Sequence, residues 1–493
     1  MTRLCERALA SLPASVARSA YDRSELRRGI VHLGLGAFHR AHQALYTEAA
    51  MANGDLRWGI VGVSLRSKSV PDALLPQQLL YCVLEREGDD VHARVVSALQ
   101  GALHAPTQLS AVLDSLADPQ THLVTSTVSE KGYSVHSATG ELDLDDELIR
   151  HDLAHPEAPA STIGLLFAGL RRRVRRAALT VLCCDNMASN GETLRKLVLQ
   201  FASRVDSDVA RHIERTIAFP SSMVDRIVPA ATADSLDWAA QRLGVRDEAA
   251  IVCEAFSQWV IEDRFAGARP AWERGGALLV DDVRPYQAMK LRLLNGTHSA
   301  IAYLGQLRDL GTVSDAMRDP LVGRFARNLM TQDLRSTIAA PDGYDVPAYC
   351  DQLLHRFENP SLAHRTEQIA MDGTQKVPVR WLPALRASLD AGTELPHLER
   401  ALAAWLHYLS VQRSDSGVAL AISDPGADTL GARLRAAHNA NDVVRAALVQ
   451  TSVFGEVPWP ETFIARLTKH LAVLRDHGVA ALLSHTSTAA TVA

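Results

Sequence analysis

Over its first 285 or so residues the chain alternates short apolar runs with stretches in which apolar positions recur every three or four residues. The short runs read as strands at residues 29–33, 58–63, 122–127, 179–183 and 251–253, and each ends in a polar or glycine-rich loop. Such alternation predicts an α/β fold, a mostly parallel sheet covered by helices, with ligands held at the loops that follow the strands. Beyond Pro285 the β-branched runs thin out and helical periodicity takes over, as at residues 398–409 and 463–477. The pattern therefore divides the chain into a sheet domain, residues 1–285, and a mainly α-helical domain, residues 286–493. No internal repeat is visible, and residues 484–493 read as a low-complexity tail.

Length agrees with two domains, because 493 residues exceed what one ordinary core encloses. An apolar content of 47% against 22% charged is that of a globular protein, and a net charge of -5 gives no broad basic field for nucleic acid or anionic membrane. Arg3, Glu6 and Arg18 interrupt any apolar leader, and no run reaches the length of a membrane span. A cytoplasmic protein is expected, as a monomer or weak homo-oligomer. The six cysteines show no C-x-x-C pair and no nearby histidine at zinc-ligand spacing, so they read as reduced packing residues and no metal site is expected. If the chain oxidises alcohols, a side chain must then move the proton.

Two segments carry candidate chemistry. The first strand runs into Gly34-Leu35-Gly36-Ala37-Phe38, where two glycines allow a tight turn that brings backbone N–H groups against a pyrophosphate. His39 stands where the third glycine of a dinucleotide fingerprint would be, so a plain strand-to-helix turn fits equally well. The second strand leads into Ser64-Leu65-Arg66-Ser67-Lys68 without the carboxylate that usually holds the ribose of NAD, and Arg66 and Lys68 would suit the 2'-phosphate of NADP. The second segment is Lys290-Leu-Arg-Leu-Leu-Asn295-Gly-Thr-His298. At roughly 100° per residue in an α-helix, Asn295 lies about 140° and His298 about 80° from Lys290, which places a base, an amide and an imidazole on one face. Desolvation lowers a lysine pKa towards neutrality and amides polarise an oxygen, so the face suits carbonyl chemistry. Spacing alone fits an ordinary amphipathic helix as well.

Several motifs in a fixed order break the tie. IVHLGLGAFHRAHQ at 30–43, TVSEKGY at 127–133, CDNMASNG at 184–191, IAFPSSMVDRIVP at 217–229, QWVIEDRF at 258–265 and the Lys290 segment together resemble the mannitol dehydrogenase family of long-chain polyol and sugar-acid dehydrogenases. The likeness runs from about residue 22 to about residue 480. It implies a Rossmann-type first domain, a helical second domain and metal-independent hydride transfer to a nicotinamide, with NAD as the cofactor and NADP as the alternative. It further implies Lys290 as general base, Asn186 and Asn295 as the pair that binds the reacting oxygen, and His298 as the residue that positions substrate and proton. Asp225 and Lys376 match positions that hold the remaining hydroxyls. Without the family, Asp225 beside Arg226 reads as a surface ion pair and Lys376 as a solvated turn residue.

Departures from the family pattern narrow the substrate. Mannitol-oxidising members often carry an arginine eight residues before the lysine at 376, where this chain has Gln368. The run from His364 to Gly373 and the segment at 140–159 resemble the branch of fructuronate reductases and some arabinitol dehydrogenases. The leading expectation is D-mannonate to D-fructuronate, with mannitol to fructose or arabinitol to xylulose as alternatives. A carboxylate substrate calls for a cationic partner, and Arg365 and Lys376 are the candidates. Outside these readings stand a nucleotide-binding sensor without turnover, against which Lys290, Asn295 and His298 together speak, and a hydroxyacid dehydrogenase with oxidative decarboxylation, which release of carbon dioxide would distinguish. His32 reads as a satisfied core histidine, His39 and His42 as caps or cofactor contacts, and Glu130 and Glu254 as acids at ligand-bearing strand ends.

Overall fold

Six strands, all parallel, form the main sheet of the first unit, in the spatial order Leu99–His104, Gly59–Ser64, Arg28–Leu33, Leu123–Ser126, Leu179–Cys183, Ile217–Ala218. Counted along the chain this is the order 3-2-1-4-5-6 of dinucleotide-binding sheets. Successive side chains of a strand face opposite sides, so Val31, Leu33, Val61, Val63, Val124 and Val181 enter one core while Ile30, Ile60, Leu123 and Leu182 enter the other. Burial on both faces is why these strands read as continuous apolar runs.

The computed structural model describes residues 1–136, 139–174, 178–360 and 364–484, so the expected tail lies outside the described residues from 485 onward. Two compact units result, Met1–Arg284 and Pro285–Ala493. One expected strand lies elsewhere than in the main sheet. Ile251–Glu254 pairs with Tyr81–Glu87, which forms an antiparallel ladder with Asp90–Val96, in a separate three-stranded sheet. A third sheet holds Leu278–Val280, Gln258–Glu262 and Ser222–Asp225.

In the second unit, the helix Pro396–Val411 is buried on every side, with Leu398, Leu402, Trp405 and Leu406 all inaccessible, and it packs against the helix Glu461–Ser484. Two segments, Lys290–Gly296 and Leu329–Leu334, wind as π-helix instead of α-helix. Among the described residues no helix is long and apolar enough to cross a membrane.

Candidate active site

The strand order of the main sheet reverses between Arg28–Leu33 and Leu123–Ser126, and the loops after these strands part to leave a crevice. Gly34 opens the first loop at φ 97°, and a Cβ there would lie 2.0 Å from the carbonyl oxygen of Thr127. No other residue fits. At Gly36 a Cβ would meet nothing closer than 3.8 Å, so a side chain would instead enter the space the glycine lines. The crevice measures about 340 Å³, with Gly34, Gly36, Ser64, Arg66, Thr127 and Lys131 on its walls. Gly34, Gly36 and Arg66 thus share one cavity, whereas Ala37 and Phe38 open the short helix Ala37–Ala41, with Phe38 stacked on His42 at 5.0 Å. A cradle that only glycines leave open, at the switch point of such a sheet, fits a dinucleotide.

The histidines around this loop are buried. His32 meets Thr125 Oγ1 at 2.7 Å through Nδ1, and the Gly34 carbonyl at 3.1 Å and Thr127 Oγ1 at 2.9 Å through Nε2. Burial pushes its pKa down to about 3, so it stays neutral. His39 stacks on it at 3.4 Å, and His42 Nε2 lies 2.9 Å from the Gln258 carbonyl. Both rings are buried, and neither caps a helix through its side chain.

The loop after Leu179–Cys183 is fixed by Asp185. Its carboxylate accepts the backbone N–H groups of Val128 and Ser129, each at 2.9 Å, and the Tyr133 hydroxyl at 2.6 Å. Asn190 Nδ2 donates to the carbonyls of Cys183 and Asp185, which ties the far side of the loop. Asn186 follows, exposed at the carboxyl end of the sheet. Asp225 ends the strand Ser222–Asp225 and is buried, with its neighbour Arg226 also buried and paired with Glu85 at 2.6 Å. A surface ion pair is therefore the wrong picture for this dipeptide. Glu254 is buried and accepts the Ile227 N–H, and Glu130 is exposed.

In the second unit the geometry of the Lys290 segment differs from an α-helix. From Lys290 to Gly296 the backbone is π-helical, a form in which residues five apart are joined by hydrogen bonds, so Lys290 and Asn295 stand one turn apart instead of about 140° apart. Neighbouring side chains satisfy this unusual turn: Arg380 Nη1 donates to the Asn295 carbonyl at 3.2 Å and Trp381 Nε1 to the Gly296 carbonyl at 3.0 Å. Arg380 also reaches Ser299 Oγ at 2.7 Å. Lys290 is buried. His298 is buried one residue into the following helix Thr297–Leu307, stacked on Phe357 at 5.1 Å and edge-on to His364 at 4.9 Å. Burial, then His364, Arg380, Arg356 and Lys376, hold its pKa well below the usual value.

Lys376 lies in the helix Gly373–Arg380 and donates to the carbonyls of Met371 at 2.6 Å and Ile369 at 3.3 Å, so it is not a solvated turn residue. Arg365 is exposed and paired with Glu367 at 2.8 Å. The guanidiniums that act on His298 are those of Arg356 and Arg380, which spacing along the chain did not single out, because they reach the site from two other helices, Val346–Glu358 and Gly373–Arg380.

Comparison with known proteins identifies the family. The family model for the mannitol dehydrogenase Rossmann domain matches residues 28–274, and that for the mannitol dehydrogenase C-terminal domain matches residues 282–475. D-mannonate oxidoreductase of Escherichia coli K12 is 42% identical over 470 residues, which cover 94% of this chain and 96% of that protein. Among solved structures, the mannitol 2-dehydrogenase of Pseudomonas fluorescens in ternary complex with NAD and D-mannitol is 35% identical and superposes with a TM-score of 0.87 over 98% of this chain and 99% of its own. A D-sorbitol dehydrogenase in substrate-free form is 32% identical, with a TM-score of 0.90 over 98% and 100%. The dinucleotide crevice, the buried Lys290 turn and a likeness that spans both units lead to one conclusion: the chain belongs to the mannitol dehydrogenase family and is an oxidoreductase that uses a nicotinamide cofactor on CH–OH groups.

Proposed function

We propose that the protein interconverts D-mannonate and D-fructuronate with NAD. The observation that carries the chemistry is the π-helical turn Lys290–Gly296, which sets a buried lysine and an amide one turn apart on a segment braced by Arg380 and Trp381. The 42% identity to a D-mannonate oxidoreductase favours the sugar acid over a neutral polyol.

A bound nicotinamide supplies the hydride acceptor. Within the second unit, Lys290 takes the hydroxyl proton, the Asn295 amide donates to the oxygen as it gains alkoxide character, His298 orients the substrate and Lys376 holds a further hydroxyl. Within the first unit, Asn186 is the second amide donor to the reacting oxygen and Asp225 a hydroxyl partner. In the reverse direction Lys290 returns the proton. The crevice carries Ser64 and Arg66 at the end of the second strand and no carboxylate follows that strand, which is the observation that keeps NADP as the second reading.

The test is consumption of NADH and, in parallel, NADPH by the purified protein with D-fructuronate, D-fructose and D-xylulose. Turnover of D-fructuronate with NADH supports the proposal. Turnover confined to D-fructose or D-xylulose reassigns the substrate to a neutral polyol, and none with any ketone, alongside measurable NADH binding, favours a sensor.

A further inference from the structure

His298 has a neighbour that the mechanism leaves unused. Nε2 of His298 and Nδ1 of His364 are both buried and without a hydrogen-bond partner among the described residues, although the two rings lie edge to face at 4.9 Å. Buried polar atoms in folded proteins are nearly always satisfied, so two orphans side by side call for a group that the described residues do not provide. His298 is only 9% exposed, which leaves bulk water little access to it.

The character of that group follows from what surrounds the rings. Every charged or titratable group with a leading influence on His298 is basic: His364, Arg380, Arg356 and Lys376. Lys376 also acts on His364. Two acidic side chains of the same unit are engaged elsewhere. Asp424 accepts from the Thr374 and Gly426 N–H groups, and Glu367 pairs with the exposed Arg365. Phe357 closes one face of His298 by stacking at 5.1 Å. Two imidazoles with open nitrogens, walled by a ring and set in a positive field, suit an anion that can accept hydrogen bonds, and a neutral hydroxyl gains nothing from that field.

We propose that His364, with His298 beside it, is the carboxylate-recognition corner of the substrate site and the residue that makes this protein prefer an acyclic sugar acid to the corresponding polyol. The assignment rests on the reading above that Lys290, Asn295 and His298 serve the reacting alcohol. In D-fructuronate the carboxylate stands four carbon–carbon bonds from the ketone, roughly 5 Å end to end for an extended zigzag of about 1.5 Å bonds. His298 at the reacting end and His364 one ring further out match that span.

The test is titration calorimetry of the full chain, saturated with NADH so that no alcohol can be oxidised, against D-mannonate and D-mannitol, which differ in having a carboxylate or a hydroxymethyl group at one end. The wild type is expected to bind D-mannonate at least tenfold more tightly. His364→Leu should reduce that ratio to within about threefold, and His364→Lys, which supplies a hydrogen-bond donor and a positive charge in its place, should recover most of it. His364→Gln, the smaller change, guards against a folding defect in the leucine variant and should also lower the ratio. A wild type with no preference for the acid overturns the proposal, as does a ratio that His364→Leu and His364→Gln leave intact. A clear preference that depends on His364, in a protein that fails to turn over D-fructuronate, keeps the carboxylate corner and sinks the assignment of the reaction.

Discussion

Asp185 holds Ser129 in a backbone conformation that serine seldom adopts: its Oδ1 accepts the Ser129 N–H at 2.9 Å while Ser129 sits at φ 70° and ψ 156°. That region is populated almost only by glycine and costs of the order of 1–3 kcal/mol for other residues. The strain sits beside Val128, Lys131 and Gly132, which line the crevice, while Asp185 itself directly precedes Asn186 in the other loop. One carboxylate therefore fixes both loops.

Replacing Asp185 with Asn should loosen them together. The amide keeps one acceptor for three donors, Val128 N–H, Ser129 N–H and the Tyr133 hydroxyl, and leaving a buried donor unpaired costs about 1–3 kcal/mol. Asp185→Asn is expected to lower the melting temperature and weaken NADH binding several-fold. Adding Ser129→Gly should recover part of the melting temperature, because glycine accepts φ 70° without strain. Wild-type melting and NADH affinity in Asp185→Asn would show that the clamp is idle.

Two glycines of one turn should fail differently. Gly34→Ala forces a Cβ to 2.0 Å from the Thr127 carbonyl at φ 97°, so the expected outcome is poor folding and a lowered melting temperature. Gly36→Val has open space and an ordinary φ of -88°, so it should fold with near wild-type melting and lose NADH affinity by tenfold or more. Fluorescence titration with NADH, paired with thermal melts, separates the two. A Gly36→Val protein that binds NADH normally removes this loop from the cofactor site.

The same logic applies to the lysine turn in the second unit. Lys290→Ala should slow hydride transfer by roughly 10²–10⁴-fold with NADH binding retained. Arg380→Met removes the donor to the Asn295 carbonyl and to Ser299 while leaving Lys290 in place. It is expected to lower kcat by tenfold or more with a smaller change in KM, since Arg380 orients the turn and does not itself serve the reaction. Single-turnover measurements decide this, and a pure KM effect would mean that Arg380 binds substrate instead.

How far the sequence reached depends on which interactions are local. Val31, Leu33, Val61 and Val63 sit on strands buried on both faces, so their apolar runs were plain along the chain. The strand Ile251–Glu254 was visible too, but its partner Tyr81–Glu87 lies some 170 positions earlier, and no local pattern encodes that pairing. Lys290, Asn295 and His298 were recognisable as a group, whereas the π winding was not, because it is stabilised from Arg380 and Trp381, at the end of another helix. His364 and Arg356 escaped for the same reason: they meet His298 only in the fold.

His407 offers a pH test independent of the chemistry. It lies in the buried helix Pro396–Val411 with Nδ1 unpartnered among the described residues, and burial followed by Arg475 pushes its pKa down to about 4. In the unfolded chain a histidine titrates near 6.5, so between pH 6.5 and about 4 the unfolded state binds a proton that the folded state refuses. Stability is therefore lost as pH falls through that window. Between pH 7 and pH 5 the contribution of this one group is about 2 kcal/mol. Buried carboxylates such as Asp247 and Glu48, whose pKa values burial raises, act in the opposite sense, so the wild-type profile alone does not isolate it. The measurement is urea unfolding at pH 7 and pH 5 for the wild type and His407→Phe. The variant should lose about 2 kcal/mol less on acidification, and equal losses in both proteins would mean that His407 is protonated in the folded state well above pH 5.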